Sequence, residues 1–135
     1  MRYTKMLEFN DKGVLEPLTI NGKVSSKDEA YVTMLWDTGC TNTTISSRVA
    51  DEIKATVSND NIPVETATGD HVEGTCHIDL YAYSENGTQL FGLKEMKVLV
   101  SKNMSMDVLI GMDVISQGDF SLTRHLDKIM LEFFF

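Results

Sequence analysis

Apolar residues in this sequence come in short runs, each ended by glycine, asparagine or a cluster of polar residues. Runs of that length and spacing predict many short strands rather than long helices. Met6-Leu7-Glu8-Phe9 leads into the turn Asn10-Asp11-Lys12-Gly13, and Val14 to Ile20 resumes an extended pattern. Asn21-Gly22 tolerates positive φ at both centres of a tight hairpin turn, and predicts one there. Tyr31 to Trp36 is rich in β-branched and aromatic residues and reads as a buried strand. Cys76, Ile78, Leu80 and Ala82 alternate with His77, Asp79, Tyr81 and Tyr83, which gives a strand with one polar face. Asn86-Gly87-Thr88 reads as the turn of a hairpin, and Lys97 to Val100 and Val108 to Ile110 add two more strands.

The period changes once. Ile45, Val49 and Ile53 recur every four residues, Ala50 widens the stripe, and Ser46 or Ser47 stands where a helix cap belongs. A second short helix is predicted after Gly111, over Met112 to Ser116, ending near Gly118. The fold class is therefore mostly β with one or two short helices.

Composition narrows the functional classes. A length of 135 residues predicts a single domain, 1–135, with a core that needs no metal or disulfide staple. Twelve basic against twenty acidic side chains give a net charge of −8, and the basic residues are scattered. Such a surface repels phosphate, so neither nucleic acid nor an anionic membrane is an expected partner. No apolar run approaches a membrane span, and the first residues lack the charged-then-apolar layout of an export signal. Two cysteines, Cys40 and Cys76, fit a reducing compartment, and a cytoplasmic location is expected. Cys76-His77 with nearby His71 suggests a metal site, but a strand sends Cys76 and His77 to opposite faces. No metal and no cofactor are expected.

The stretch that carries chemistry is Leu35-Trp36-Asp37-Thr38-Gly39-Cys40-Thr41-Asn42-Thr43-Thr44-Ile45. A hydrophobic strand ends abruptly in an acid, a hydroxyl residue and a glycine. Gly39 allows the backbone to turn sharply, so that its N–H can point at the Asp37 carboxylate. Thr38 supplies a hydroxyl that both donates and accepts. A carboxylate held in this way, half out of water, suits activation of a water molecule. Asp113, after Gly111, reads as the cap or solvated start of a helix, with a supporting role towards the site as the alternative.

Asp37-Thr38-Gly39 after an apolar strand resembles the signature of the retropepsin-like aspartic proteases. Three further segments carry the resemblance, in family order and over residues 18 to about 118. Leu18 to Lys23 resembles the hairpin before the catalytic strand, Val64 to Asp70 the flap, and Val108 to Asp113 the segment packed beside the catalytic loop. The resemblance implies a closed β-barrel or sandwich and a twofold dimer, with one Asp37 from each copy sharing a proton. Thr38 would then bond across the dimer, and Ala67, Thr68 and Gly69 would close on an extended polypeptide substrate. Leu35, Trp36 and Ile110, with Gly111, would form the floor beneath the acids. Cys40 departs from the family, which usually has Ala or Ser there. For the apolar run Ile129 to Phe135 the resemblance implies an intersubunit sheet. The residues alone equally fit a strand in the chain's own core, or one truncated at its end. The alternative to an endopeptidase is a peptide-binding or assembly module on the same fold, without turnover.

Overall fold

The computed structural model describes residues 1–59 and 71–135, with 71–73 as backbone only. Among the described residues eleven elements follow one another: β1 (Arg2–Leu7), β2 (Thr19–Ser25), β3 (Glu29–Trp36), β4 (Thr44–Ser46), α1 (Ser47–Glu52), β5 (His71–Tyr83), β6 (Gln89–Lys102), β7 (Val108–Ile110), α2 (Met112–Ile115), β8 (Asp119–His125) and β9 (Lys128–Phe134). Six strands close into a barrel in the order β2-β3-β7-β4-β6-β5, and β1, β9 and β8 form a separate three-stranded sheet with β9 in the middle.

Alternation of side chains explains the barrel's interior. In β3, Ala30, Val32, Met34 and Trp36 are buried, while Glu29, Tyr31 and Thr33 face solvent. From Cys76 onward the buried residues of β5 are Cys76, Ile78, Leu80 and Ala82, with His77 exposed, as the sequence pattern predicts. β5 and β6 form a long hairpin whose turn bonds Ser84 N–H to the Thr88 carbonyl and sets Gly87 at φ +85°. The three-stranded sheet joins the same core through Tyr3, Leu7, Leu131 and Phe133.

Two local expectations need correction, and one that the residues left open is resolved. Asn21-Gly22 is no turn: both residues lie inside β2, paired with β3 on one side and β5 on the other. Glycine is required there by space, because a Cβ would meet Met34 Cε and stand 2.7 Å from the Tyr81 carbonyl oxygen. The chain instead reverses at Ser26 to Asp28, where the Ser26 N–H donates to the Asp28 carbonyl. The stripe Ile45, Val49 and Ile53 is wholly buried, but Ile45 belongs to strand β4 and Ile53 to the helix C-cap. A strand end and the helix after it both face the core, which mimics a longer helix in sequence. Ser46 is the cap, its hydroxyl accepting from the Val49 N–H at 3.1 Å. Finally, the C-terminal run is tucked into the chain's own core: β9 pairs with β1 and β8, so both its edges are occupied.

Candidate active site

Asp37 sits where a parallel pairing ends. Trp36 is matched to Ile110 across β3 and β7, and the Asp37 N–H donates to the Ile110 carbonyl at 2.9 Å. The chain then doubles back. Gly39 N–H donates to Asp37 Oδ1 at 3.0 Å, and Cys40 N–H donates to the Asp37 carbonyl at 3.2 Å. Asp37 is half-buried, whereas Thr38 and Gly39 are exposed. Neither Asp37 Oδ2 nor the Thr38 hydroxyl makes a hydrogen bond with any described residue. The loop therefore presents one fixed carboxylate, with an oxygen and a neighbouring hydroxyl that bond to none of the described residues.

The second half of the loop is anchored by the segment after β7. The Met112 N–H donates to the Cys40 carbonyl at 2.7 Å and the Asp113 N–H to the Thr41 carbonyl at 3.1 Å. In this way the unpaired donors at the start of α2 are satisfied by the loop. The Asp113 carboxylate reaches back, accepting from the Thr43 N–H at 3.0 Å, the Thr43 hydroxyl at 2.7 Å and the Val114 N–H at 2.9 Å. The Thr43 hydroxyl in turn accepts from the Gly111 N–H at 3.1 Å. Thr43 is fully buried, so this network is shielded from competing water. Asp113 thus takes one N–H of the first turn of α2 and holds the loop. Thr43 had no distinguishing mark in sequence: three hydroxyl residues lie between Cys40 and Ile45, and only the fold selects one.

The expected floor residues divide between two faces. Leu35 is half-buried and matched to Leu109, while Ile110 is fully buried next to Trp36. Trp36 stands among Phe133 at 4.9 Å, Phe120 at 5.4 Å and Tyr3 at 6.5 Å between ring centroids. Thr38 lines a groove of about 540 Å³ with Met112 and Ile115 of α2 and Asp119 and Phe120 of β8. The flap expected over Val64 to Asp70, with Ala67, Thr68 and Gly69 at its tip, lies outside the described residues.

Two other acids have local roles. Asp79 accepts from the Glu95 N–H, and Asp107 bonds the Thr33 N–H and Arg48. Asp119 is exposed at the start of β8, and Asp70 lies outside the described residues.

Cys40 fits its unusual place. Its Sγ donates to the Asn42 carbonyl at 2.8 Å and lies 3.7 Å from the Thr44 hydroxyl. Burial pushes this thiol up from its ordinary value, the bond with Thr44 opposes that, and the nearby Asp37 charge adds to it. Burial pushes the Cys76 thiol up to about 11. Since the thiolate is the reactive form, alkylation at neutral pH is expected to label Cys40 slowly and Cys76 only after denaturation. Intact-mass measurement with iodoacetamide checks this; two rapid additions to the native protein would contradict the packing described.

The family model described as "gag-polyprotein putative aspartyl protease" matches residues 18–117. Among solved structures, a retropepsin-like aspartic protease from Rickettsia conorii is similar at 14% identity and a TM-score of 0.54, covering 98% of this chain and 92% of that one. The retroviral protease-like domain of Ddi1 from Leishmania major is similar at 15% identity and a TM-score of 0.53, covering 85% of this chain and 93% of that one. At these identities the likeness is one of fold. No curated protein matches the sequence.

Proposed function

The chain belongs to the gag-polyprotein aspartyl protease family, and from that membership we propose that it is an aspartic endopeptidase, active as a homodimer on extended polypeptides. The observation that carries this reading is the half-built site: Gly39 fixes one oxygen of Asp37, and the other is left without a partner among the described residues. Water activation of this kind uses two facing carboxylates that share one proton. A second copy supplies the missing acid, its own Asp37.

One ionised Asp37 removes a proton from a bound water as that water attacks the scissile carbonyl. The protonated Asp37 of the other copy donates a hydrogen bond to the carbonyl oxygen, and protons move back as the tetrahedral intermediate collapses to amine and acid. No acyl-enzyme forms, so Cys40 is not a nucleophile. Thr38, with its free hydroxyl, bonds across the two loops; Leu35, Trp36, Ile110 and Gly111 support them from below. Ala67, Thr68 and Gly69 close over the substrate backbone. The whole of 1–135 serves as one unit. Two cysteines without disulfide partners accord with a cytoplasmic location. No helix among the described residues is long and apolar enough to cross a membrane.

The direct test is cleavage of a diverse peptide library, sampled at roughly pH 4 to 7 where one proton per carboxylate pair is usual, alongside sedimentation of the same sample. A verified dimer that cleaves nothing would leave a binding module as the better reading. Charge adds a second expectation. Two chains of −8 each repel at long range, so raising salt from about 20 to 150 mM should tighten the dimer by screening. Dilution series at the two salts, read by sedimentation, would show the opposite order if attractive ion pairs dominated the interface.

A further inference from the structure

We infer that a groove on the outer face of the barrel, beside Tyr31 and Glu85, docks an arginine-bearing segment of a partner polypeptide. The groove holds about 400 Å³, and its lining includes Asn21, Tyr31, Thr33, Tyr83, Glu85 and Asp107. Neither the Asp37 loop nor any residue of β1, β8 or β9 lines it. Tyr31 stands six residues before Asp37 along β3, about 20 Å away on the rise of a strand. The groove is therefore a second site, and it does not depend on the proposed activity.

Strand register builds it. β2 lies between β3 and β5, and its Asn21 is matched to Thr33 on one side and to Tyr83 on the other. All three side chains point outwards, because their neighbours Ile20, Met34 and Ala82 are buried in the barrel. Two positions back along β3, Tyr31 shares that face, 76% exposed, with its ring 6.5 Å from that of Tyr83. A ring so placed adds nothing to the core. The turn after β5 contributes Glu85, and the residue before β7 contributes Asp107. No basic side chain lines the groove.

Two features indicate the occupant. The first is charge. The Glu85 side chain is 70% exposed, and its ion-pair partner Lys5 stays 3.7 Å away, beyond hydrogen-bond reach. Asp107 already holds a guanidinium, since Arg48 donates to its Oδ1 at 2.8 Å. Glu85 is thus the carboxylate open to an incoming cation. The second feature is the treatment of the neighbouring tyrosine. Tyr81, on the same outer face, has Lys23 and Lys94 over its ring, each 5.2 Å from the centroid. Lys23 is opposite Tyr31 in register, yet is drawn to Glu29 at 3.3 Å and to Tyr81 instead. Among the described residues no cation lies over Tyr31 or Tyr83, so this pair repeats the aromatic half of the arrangement without its charge. Arginine suits the place better than lysine. A planar guanidinium lies flat on a ring while its edge N–H groups reach a carboxylate, which a compact ammonium does not do together. The net charge of −8 draws such a segment from a distance.

The test is fluorescence anisotropy of a labelled Gly-Arg-Gly-Arg-Gly peptide titrated with the full chain, at about 150 mM salt to screen long-range attraction. The chain carries Asp37→Asn, which keeps the probe intact and frees the result from turnover. Tyr31→Ala and Glu85→Gln are each expected to weaken binding about fivefold or more, whereas Tyr31→Phe, which keeps the aromatic face, binds as the parent does. Glu52→Gln, on α1 and outside the groove, removes the same charge and should change nothing. Circular dichroism confirms that each of these exposed replacements folds. Binding untouched by Tyr31→Ala, weakened equally by Glu52→Gln, or as tight for the lysine counterpart of the peptide would overturn the inference. Loss at Tyr31 and Glu85 alone upholds it, whether or not the wild type cleaves peptides.

Discussion

Asp37→Asn is expected to fold and dimerise as the wild type does, and to hydrolyse peptides at least about a thousandfold more slowly. The replacement is nearly isosteric. Its amide oxygen still accepts the Gly39 N–H that now meets Asp37 Oδ1 at 3.0 Å, so the turn survives. Asp37 is only half-buried and carries no other side-chain bond to a described residue, so melting should move by no more than about 3 °C. What the amide cannot do is take a proton from water. In the proposed homodimer both acids come from one gene, so the change removes both at once and leaves no residual base. Turnover is measured on any peptide the wild type cleaves. Activity within about tenfold of wild type would mean that Asp37 only shapes a turn.

Gly111→Ala should be among the most damaging small substitutions in the fold, at about 3 kcal/mol or more. The backbone angles of Gly111, φ −90° and ψ −177°, suit any residue, so conformation is not the obstacle. Space is. A Cβ there would stand 2.7 Å from the Asn42 carbonyl carbon and 2.8 Å from both the Cys40 oxygen and the Thr43 nitrogen. All three are backbone atoms of the loop that bears Asp37, and that loop is itself pinned through Met112, Asp113 and Thr43. The added methyl must push the loop outwards or break the network. Urea unfolding should show a lower midpoint with an unchanged slope. Gly87→Ala is the control. Gly87 has φ +85° and nothing within 4 Å, so that variant pays conformational strain alone, about 1 kcal/mol. Equal effects at the two sites would show that the loop yields easily.

Much of this architecture is visible in sequence where the cause is local. Alternation along Cys76 to Ala82 marks a half-buried strand because successive side chains must point opposite ways. Asp37-Thr38-Gly39 is legible because an acid and a glycine at the end of an apolar run are rarely neutral choices. Gly22 misleads for the converse reason. Asn-Gly is what a hairpin turn wants, but here the glycine answers to the carbonyl of Tyr81, a neighbour nearly sixty positions away that no local pattern reports. The Thr43–Asp113 network, spanning 70 residues, is hidden in the same way. The C-terminal phenylalanines announce burial but not against what. Only the pairing of β9 with both β1 and β8 shows that the sheet is internal.

That pairing also governs how the molecule is made. Arg2 bonds to Glu132, 130 positions along the chain, and Tyr3 meets Phe133 in register. Contacts of such separation pay nearly the whole loop-closure entropy before they return any stabilisation. Chains dominated by them fold in milliseconds to seconds rather than microseconds. β1 emerges before the other strands described yet pairs, among the described strands, only with residues 128–134. The rings that seat Trp36, and with it the Asp37 loop, come from these two distant strands and from β8. A growing chain therefore carries its acid long before it has the foundation beneath it, and competence waits for the last strand.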